Sequence, residues 1–208
     1  MLGHNIINHY DRNEAGRKME SVATATSILP RSIVLVGLMG AGKSKIGRLL
    51  AASLAVPFVD SDNAVVASAG MSIASIFELY GEERFRDLEA RTIAELLDDE
   101  PRVIATGGGA FMNNDTRKLI LDGGISLWLK ATPETLADRI SNPASRPLLR
   151  DRNPVEVLRE LAEIRYPVYA EAALTVDTDG LSITAAVNTV EGALREFLKL
   201  SGNAGGKG

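Results

Sequence analysis

The sequence has no cysteine and only two histidines, His4 and His9, both in its polar N-terminal stretch. The first absence excludes disulfide frameworks, Cys-ligated zinc, iron–sulfur clusters and cysteine nucleophiles. The second excludes a multi-histidine metal centre, so any metal is expected to be a hard ion held by oxygen. No run approaches the ~18 consecutive apolar residues of a membrane span. The N-terminus lacks the continuous apolar core of a signal peptide. Nor is there a basic excess: 23 Lys and Arg stand against 27 Asp and Glu, a net charge of −4. A nucleic-acid partner normally calls for a basic face. These absences predict a cytoplasmic enzyme or binding protein with no nucleic-acid and no membrane partner; a monomer is the working expectation, though none of these absences bears on it.

What is present is an ordinary globular composition, 45% hydrophobic and 24% charged over 208 residues. That length suits one domain, able to bury roughly 70% of the surface its unfolded chain exposes without a disulfide or structural metal. Residues 1–30 show no sustained period and read as a flexible arm. Residues 201–208, rich in glycine, read as a disordered tail. The folded unit is expected over 31–200.

Inside it, short apolar runs alternate with longer helical patterns. Strands are expected at 33–36, 57–59, 103–105, 125–129 and 174–176. Helices are expected at 43–55, 63–69, 72–80, 82–97, 113–121, 132–140, 155–172 and 182–200, with Thr132-Pro133 supplying a cap and an N1 proline. Residues 141–153, rich in Pro, Asn and Arg, read as a loop. Alternation of this kind implies an α/β fold, a parallel sheet with helices on both faces. Ligands then bind at the carboxyl ends of the strands.

At the first of those ends, Gly37-Leu-Met-Gly40-Ala41-Gly42-Lys43-Ser44 matches the phosphate-loop pattern G-x-x-x-x-G-K-[ST]. Its glycines let the backbone N–H groups curl around a phosphate. Lys43 adds a charge at the β/γ-phosphates, and the Ser44 hydroxyl suits Mg²⁺. The apolar strand before it and the helix after it are the context this motif requires.

The other charged residues point to phosphoryl transfer. Asp60 and Asp62 close the second strand on the same sheet edge, where one carboxylate can serve a Mg²⁺ shell and another a nucleophilic hydroxyl. Either could equally be the N-cap of the following helix. Gly107-Gly108-Gly109 follows the third strand and lets a ligand touch the backbone. A plain strand–helix turn is the alternative. Arg86 shares its helix with many acids, so a solvated ion pair competes with any ligand role. The 141–153 loop carries Arg146, Arg150 and Arg152 against Asp151. It reads as a basic lid over ATP or as a solvated surface loop. Arg165 can hold a carboxylate bidentately.

Together these pieces resemble the shikimate kinase family. The resemblance rests on the phosphate loop, Phe58-Val-Asp-Ser-Asp62, Ser72-Ile-Ala-Ser-Ile-Phe77 and Gly81-Glu-Glu-Arg-Phe-Arg86 with Glu89. It continues through Ala105-Thr-Gly-Gly-Gly-Ala110, Arg146-Pro-Leu-Leu149 and Arg165-Tyr-Pro-Val-Tyr169, in the family's order. It implies a three-layer α/β/α, nucleoside-monophosphate-kinase-like fold with a five-stranded parallel sheet. It also implies transfer of the ATP γ-phosphate to the 3-hydroxyl of shikimate. By position, Asp62, Arg86, Gly107, Gly108, Gly109 and Arg165 would bind shikimate, with Asp62 taking the hydroxyl's hydrogen bond and Phe77 and Phe85 walling the pocket. Gly40, Ala41, Gly42, Lys43, Ser44 and Lys45 would hold the nucleotide. Ser44 and Asp60 would serve Mg²⁺, Lys43 and Arg146 the transferring phosphate, and Arg139 and the loop at Asp179 the adenine. Lys45 departs from the family, where Thr is common. A gluconate-kinase-like enzyme and a non-catalytic nucleotide-binding domain remain the alternatives. A GTPase is disfavoured because no Asn-Lys-x-Asp guanine motif occurs.

Overall fold

The computed structural model describes residues 29–143 and 146–204. Five strands form one sheet: β1 (Ile33–Val36), β2 (Phe58–Asp60), β3 (Val103–Ala105), β4 (Ile125–Lys130) and β5 (Leu174–Asp177). Their order is β2-β3-β1-β4-β5 and every pairing is parallel. β1 and β3 are buried at every residue, as strands covered by helices on both faces must be. The predicted five-stranded α/β architecture is therefore the observed one, with β2 and the ends of β4 and β5 differing by a residue.

The helices are α1 (Lys43–Leu54), α2 (Ser61–Ala69), α3 (Ile73–Asp98), α4 (Asn114–Gly123), α5 (Pro133–Asp138), α6 (Pro154–Tyr169) and α7 (Ile183–Ala204). Most begin where a short polar side chain accepts from the first turn. Asp60 caps α2, Ser72 caps α3, Asn113 caps α4, Thr132 caps α5 and Asn153 caps α6. The two helices expected at 72–80 and 82–97 are one element, α3, broken at Gly81, whose φ of 78° and ψ of 175° are non-helical. α7 continues through Ala204, so the first residues of the expected tail are helical. The expected arm lies outside the described residues, apart from Leu29, which is buried in the core, and Pro30.

Two hydrophobic clusters divide the structure. The larger surrounds the sheet, with Phe111 and Tyr169 among its largest fully buried side chains. The smaller is Val65, Ile76 and Phe85, packed between α2 and α3. These two helices meet at 90° and form a small lobe beside the carboxyl edge of the sheet. The lobe carries Asp62 and Arg86 to that edge. Among the described residues no single helix is long and apolar enough to cross a membrane.

Candidate active site

The phosphate loop joins β1 to α1. Gly40 has φ of 84°, and a Cβ there would stand 2.5 Å from the Leu136 carbonyl oxygen, so the turn requires glycine on both counts. Lys43 curls back over the loop and donates to the carbonyls of Gly37 at 2.7 Å and Leu38 at 3.0 Å. Burial lowers its pKa to about 8, against the pull of the Asp62 carboxylate. Ser44 Oγ donates to Asp60 Oδ2 at 2.7 Å.

Asp60 fills one of the roles that its sequence position leaves open, that of helix cap, and also meets the phosphate-loop serine. Its Oδ1 accepts from the Asp62 backbone N–H at 3.1 Å, capping α2, while Oδ2 meets Ser44. Asp62 is not a cap. It lies in the first turn of α2, where burial, then the Asp60 charge, pushes its carboxyl above the usual range.

The three glycines after β3 form the hub of the site. A Cβ on Gly107 would stand 2.6 Å from Asp62 Oδ1. One on Gly108 would stand 3.5 Å from Arg165 Nη1, and one on Gly109 2.8 Å from Arg86 Nη2. Each glycine thus faces one of the charged side chains singled out in the sequence. The Gly108 carbonyl accepts from Arg165 Nη1 at 3.0 Å and from the Tyr169 hydroxyl. Both donors come from α6, which closes this side of the site.

Arg86 is held on its own helix. Nη1 donates to Glu89 at 2.7 Å, and Nη2 and Nε donate to Glu82 at 3.0 and 3.3 Å. Glu89 is buried, and burial pushes its carboxyl up against the pull of Arg86. The sequence reading assigns neither glutamate a role. Their spacing, four residues before and three after Arg86, is the available signal, because such residues share a helix face. Tyr169 likewise enters the sequence reading only as part of a motif.

A cavity of about 660 Å³ runs along Gly40–Lys45, Asp60, Asp62, Gly107, Gly108, Arg139 and Arg146. A second, of about 400 Å³, is lined by Glu82, Arg86, Gly109, Met112, Asn113, Ile164 and Arg165. The glycine loop borders both. Three of the expected residues, Phe77, Phe85 and Asp179, are not among those lining these two cavities. Phe77 and Phe85 line neither cavity: their rings stack at 4.7 Å, Phe85 is buried in the small lobe, and it meets the site through the Arg86 guanidinium, 5.1 Å from its ring. The Asp179 carboxylate points to Thr132, accepting from its N–H at 2.9 Å and its hydroxyl at 3.1 Å, while Leu181 and Ile183 of the same segment line the larger cavity.

The family model for shikimate kinase matches residues 39–195. A shikimate kinase from Caulobacter vibrioides is 55% identical over 166 residues, 80% of this chain and 83% of its own length. The chain belongs to the shikimate kinase family. It is an ATP-dependent kinase of the P-loop, nucleoside-monophosphate-kinase-like fold. A shikimate kinase from Acinetobacter baumannii, solved in complex with shikimate, aligns with a TM-score of 0.74 at 37% identity, covering 83% of this chain and 95% of that one. A gluconokinase from Sinorhizobium meliloti aligns at 0.57 and 22% identity, covering 84% and 95% of the two chains. At that identity the second likeness concerns the fold alone, so the gluconate-kinase alternative falls to the shikimate kinase match.

Proposed function

We propose that the enzyme transfers the ATP γ-phosphate to the 3-hydroxyl of shikimate, with the acceptor in the smaller cavity and the nucleotide in the larger. One observation carries this division. Arg86 and Arg165 line one cavity, Lys43 and Asp62 line the other, and the glycine loop joins them. Paired guanidiniums suit a single carboxylate on a small acid. The acceptor hydroxyl would then lie toward Asp62.

Asp62 accepts the hydroxyl's hydrogen bond and takes its proton as the oxygen bonds to the γ-phosphorus. The bond from that phosphorus to the bridging oxygen breaks, and ADP leaves with the electron pair. Burial of the Asp62 carboxyl raises its basicity toward this task. Lys43 is freed from its loop carbonyls to meet the phosphates, and Arg146 approaches the transferring group from the loop at the cavity's edge. The loop amides hold the remaining oxygens.

The residues fit Mg²⁺. Ser44 Oγ and Asp60 Oδ2 are an oxygen pair 2.7 Å apart, and no cluster of three or more His, Cys, Asp or Glu occurs among the described residues. Mg²⁺ is typically bound by one or two protein oxygens and completes its shell with phosphate and water. Bound there, it neutralises phosphate charge.

ADP release measured across shikimate, gluconate and AMP, with and without Mg²⁺, tests this reading. Turnover should require both shikimate and Mg²⁺. Equal or faster turnover with gluconate or AMP overturns it.

A further inference from the structure

The two glutamates on Arg86 are not equivalent. Glu89 is 1% exposed and takes Nη1, whereas Glu82 is 67% exposed and takes Nε and Nη2 together. Nε and Nη2 both donate to one oxygen of Glu82, Oε1, on the side-on edge, the fork, with which a guanidinium can grip a carboxylate in two parallel bonds. The smaller cavity is lined by both Glu82 and Arg86, so the fork is filled at the place where an incoming carboxylate would seek it. Glu82 also follows directly on Gly81. The break there restarts α3, and Glu82 stands at its new beginning, one turn before Arg86, in the favourable acid-first order.

We propose that Glu82 is a displaceable counter-ion that occupies the Arg86 fork in the free enzyme and is exchanged for the substrate carboxylate on binding. Glu89 is the permanent partner, since its removal would strand a half-buried guanidinium. Glu82 can leave at small cost, because its carboxylate returns to water and an exposed pair is weak. The exchange keeps Arg86 pointed at the cavity when no substrate is present. It also sets a cost: a carboxylate must break the Arg86–Glu82 pair to take the fork, so Glu82 weakens carboxylate binding while holding the guanidinium in place, and a ligand that leaves the pair intact bears no such cost. This inference rests on the reading of Arg86 as a carboxylate ligand.

The test compares wild type, Glu82→Gln and Arg86→Ala as full chains. Shikimate and its uncharged methyl ester are the ligands, with affinity measured by calorimetry without nucleotide and KM and kcat by ADP release. Glu82→Gln should tighten shikimate binding and lower its KM about two- to fivefold, the scale of an exposed pair. Ester affinity and kcat should stay within about twofold, since no fold-wide change is involved. Weaker or unchanged shikimate binding in Glu82→Gln overturns the proposal, as does an equal gain for the ester. If Arg86→Ala leaves shikimate affinity unchanged, the carboxylate reading itself fails, and that result is separable from the first.

Discussion

A methyl group on Gly107 would stand 2.6 Å from Oδ1 of Asp62. The glycine loop and the carboxylate are therefore fitted to each other, and the loop's lack of side chains fixes where Asp62 can sit. Gly107→Ala should push Asp62 aside. A displacement of about 1 Å at a reacting group can cost on the order of 10²-fold in rate. A steady-state assay should show a fall in kcat of about that size, with ADP affinity little changed. Wild-type kcat in this variant would show that Asp62 has room the geometry denies it.

Gly192 is the opposite case. It lies inside α7, exposed, with no positive φ and nothing within 4 Å of the place a Cβ would take. Gly192→Ala should stabilise the fold by about 0.5–1 kcal/mol by restricting the unfolded chain. Urea unfolding should move its midpoint upward at constant m, and activity should not change.

Lys43 makes nucleotide binding pH-dependent. Its pKa of about 8 belongs to the buried, phosphate-free side chain. Phosphates favour the charged form, so above pH 8 binding must take up a proton. ADP affinity should fall about tenfold between pH 7 and pH 9, as linkage to one group allows. Calorimetry in buffers of different ionisation heat should show proton uptake at pH 9 and almost none at pH 6.5. A flat profile contradicts the assignment. For stability the sign is opposite. Between pH 8 and 10.5 the unfolded chain holds a proton on this lysine that the folded one lacks, so this group's contribution rises with pH across that window.

Asp62 titrates in the other direction. Its folded pKa lies above 3.8, so the stability it contributes is present below that value and lost as pH rises through the folded pKa. Asp62→Asn removes a buried carboxylate and should raise the melting temperature at pH 7 while leaving it unchanged at pH 3. No gain at pH 7 would mean that the carboxylate is better solvated than its surroundings indicate.

The sheet is legible in the sequence because parallel strands buried on both faces are short unbroken apolar runs. Ile33–Val36 and Val103–Ala105 can be placed to the residue for that reason. The break at Gly81 is legible as a boundary between two helices, but nothing local says that they run on as one element across a single non-helical glycine. The phosphate loop and Asp60 can be read because backbone motif and strand end lie close in sequence. The direction of the Asp179 carboxylate is hidden because its partner, Thr132, is 47 residues away and caps another helix. Phe77 and Phe85 read as pocket walls, yet the burial of Phe85 depends on how α2 folds against α3, which no periodicity within α3 reveals, and Phe77 stays exposed beside it. Glu82 and Glu89 are visible only as charges until the structure gives them Arg86 as a common partner.

The division of labour between the two cavities is tested most directly by separating shikimate affinity from turnover in three variants. Arg86→Ala and Arg165→Ala should each weaken shikimate binding about tenfold or more, since a charge-assisted bond contributes roughly 1.5–3 kcal/mol. Asp62→Asn should leave that affinity within about threefold and lower kcat by about 10²- to 10⁴-fold, the range for loss of a positioned base. Unchanged affinity in both arginine variants, or near-normal kcat in Asp62→Asn, would contradict this division.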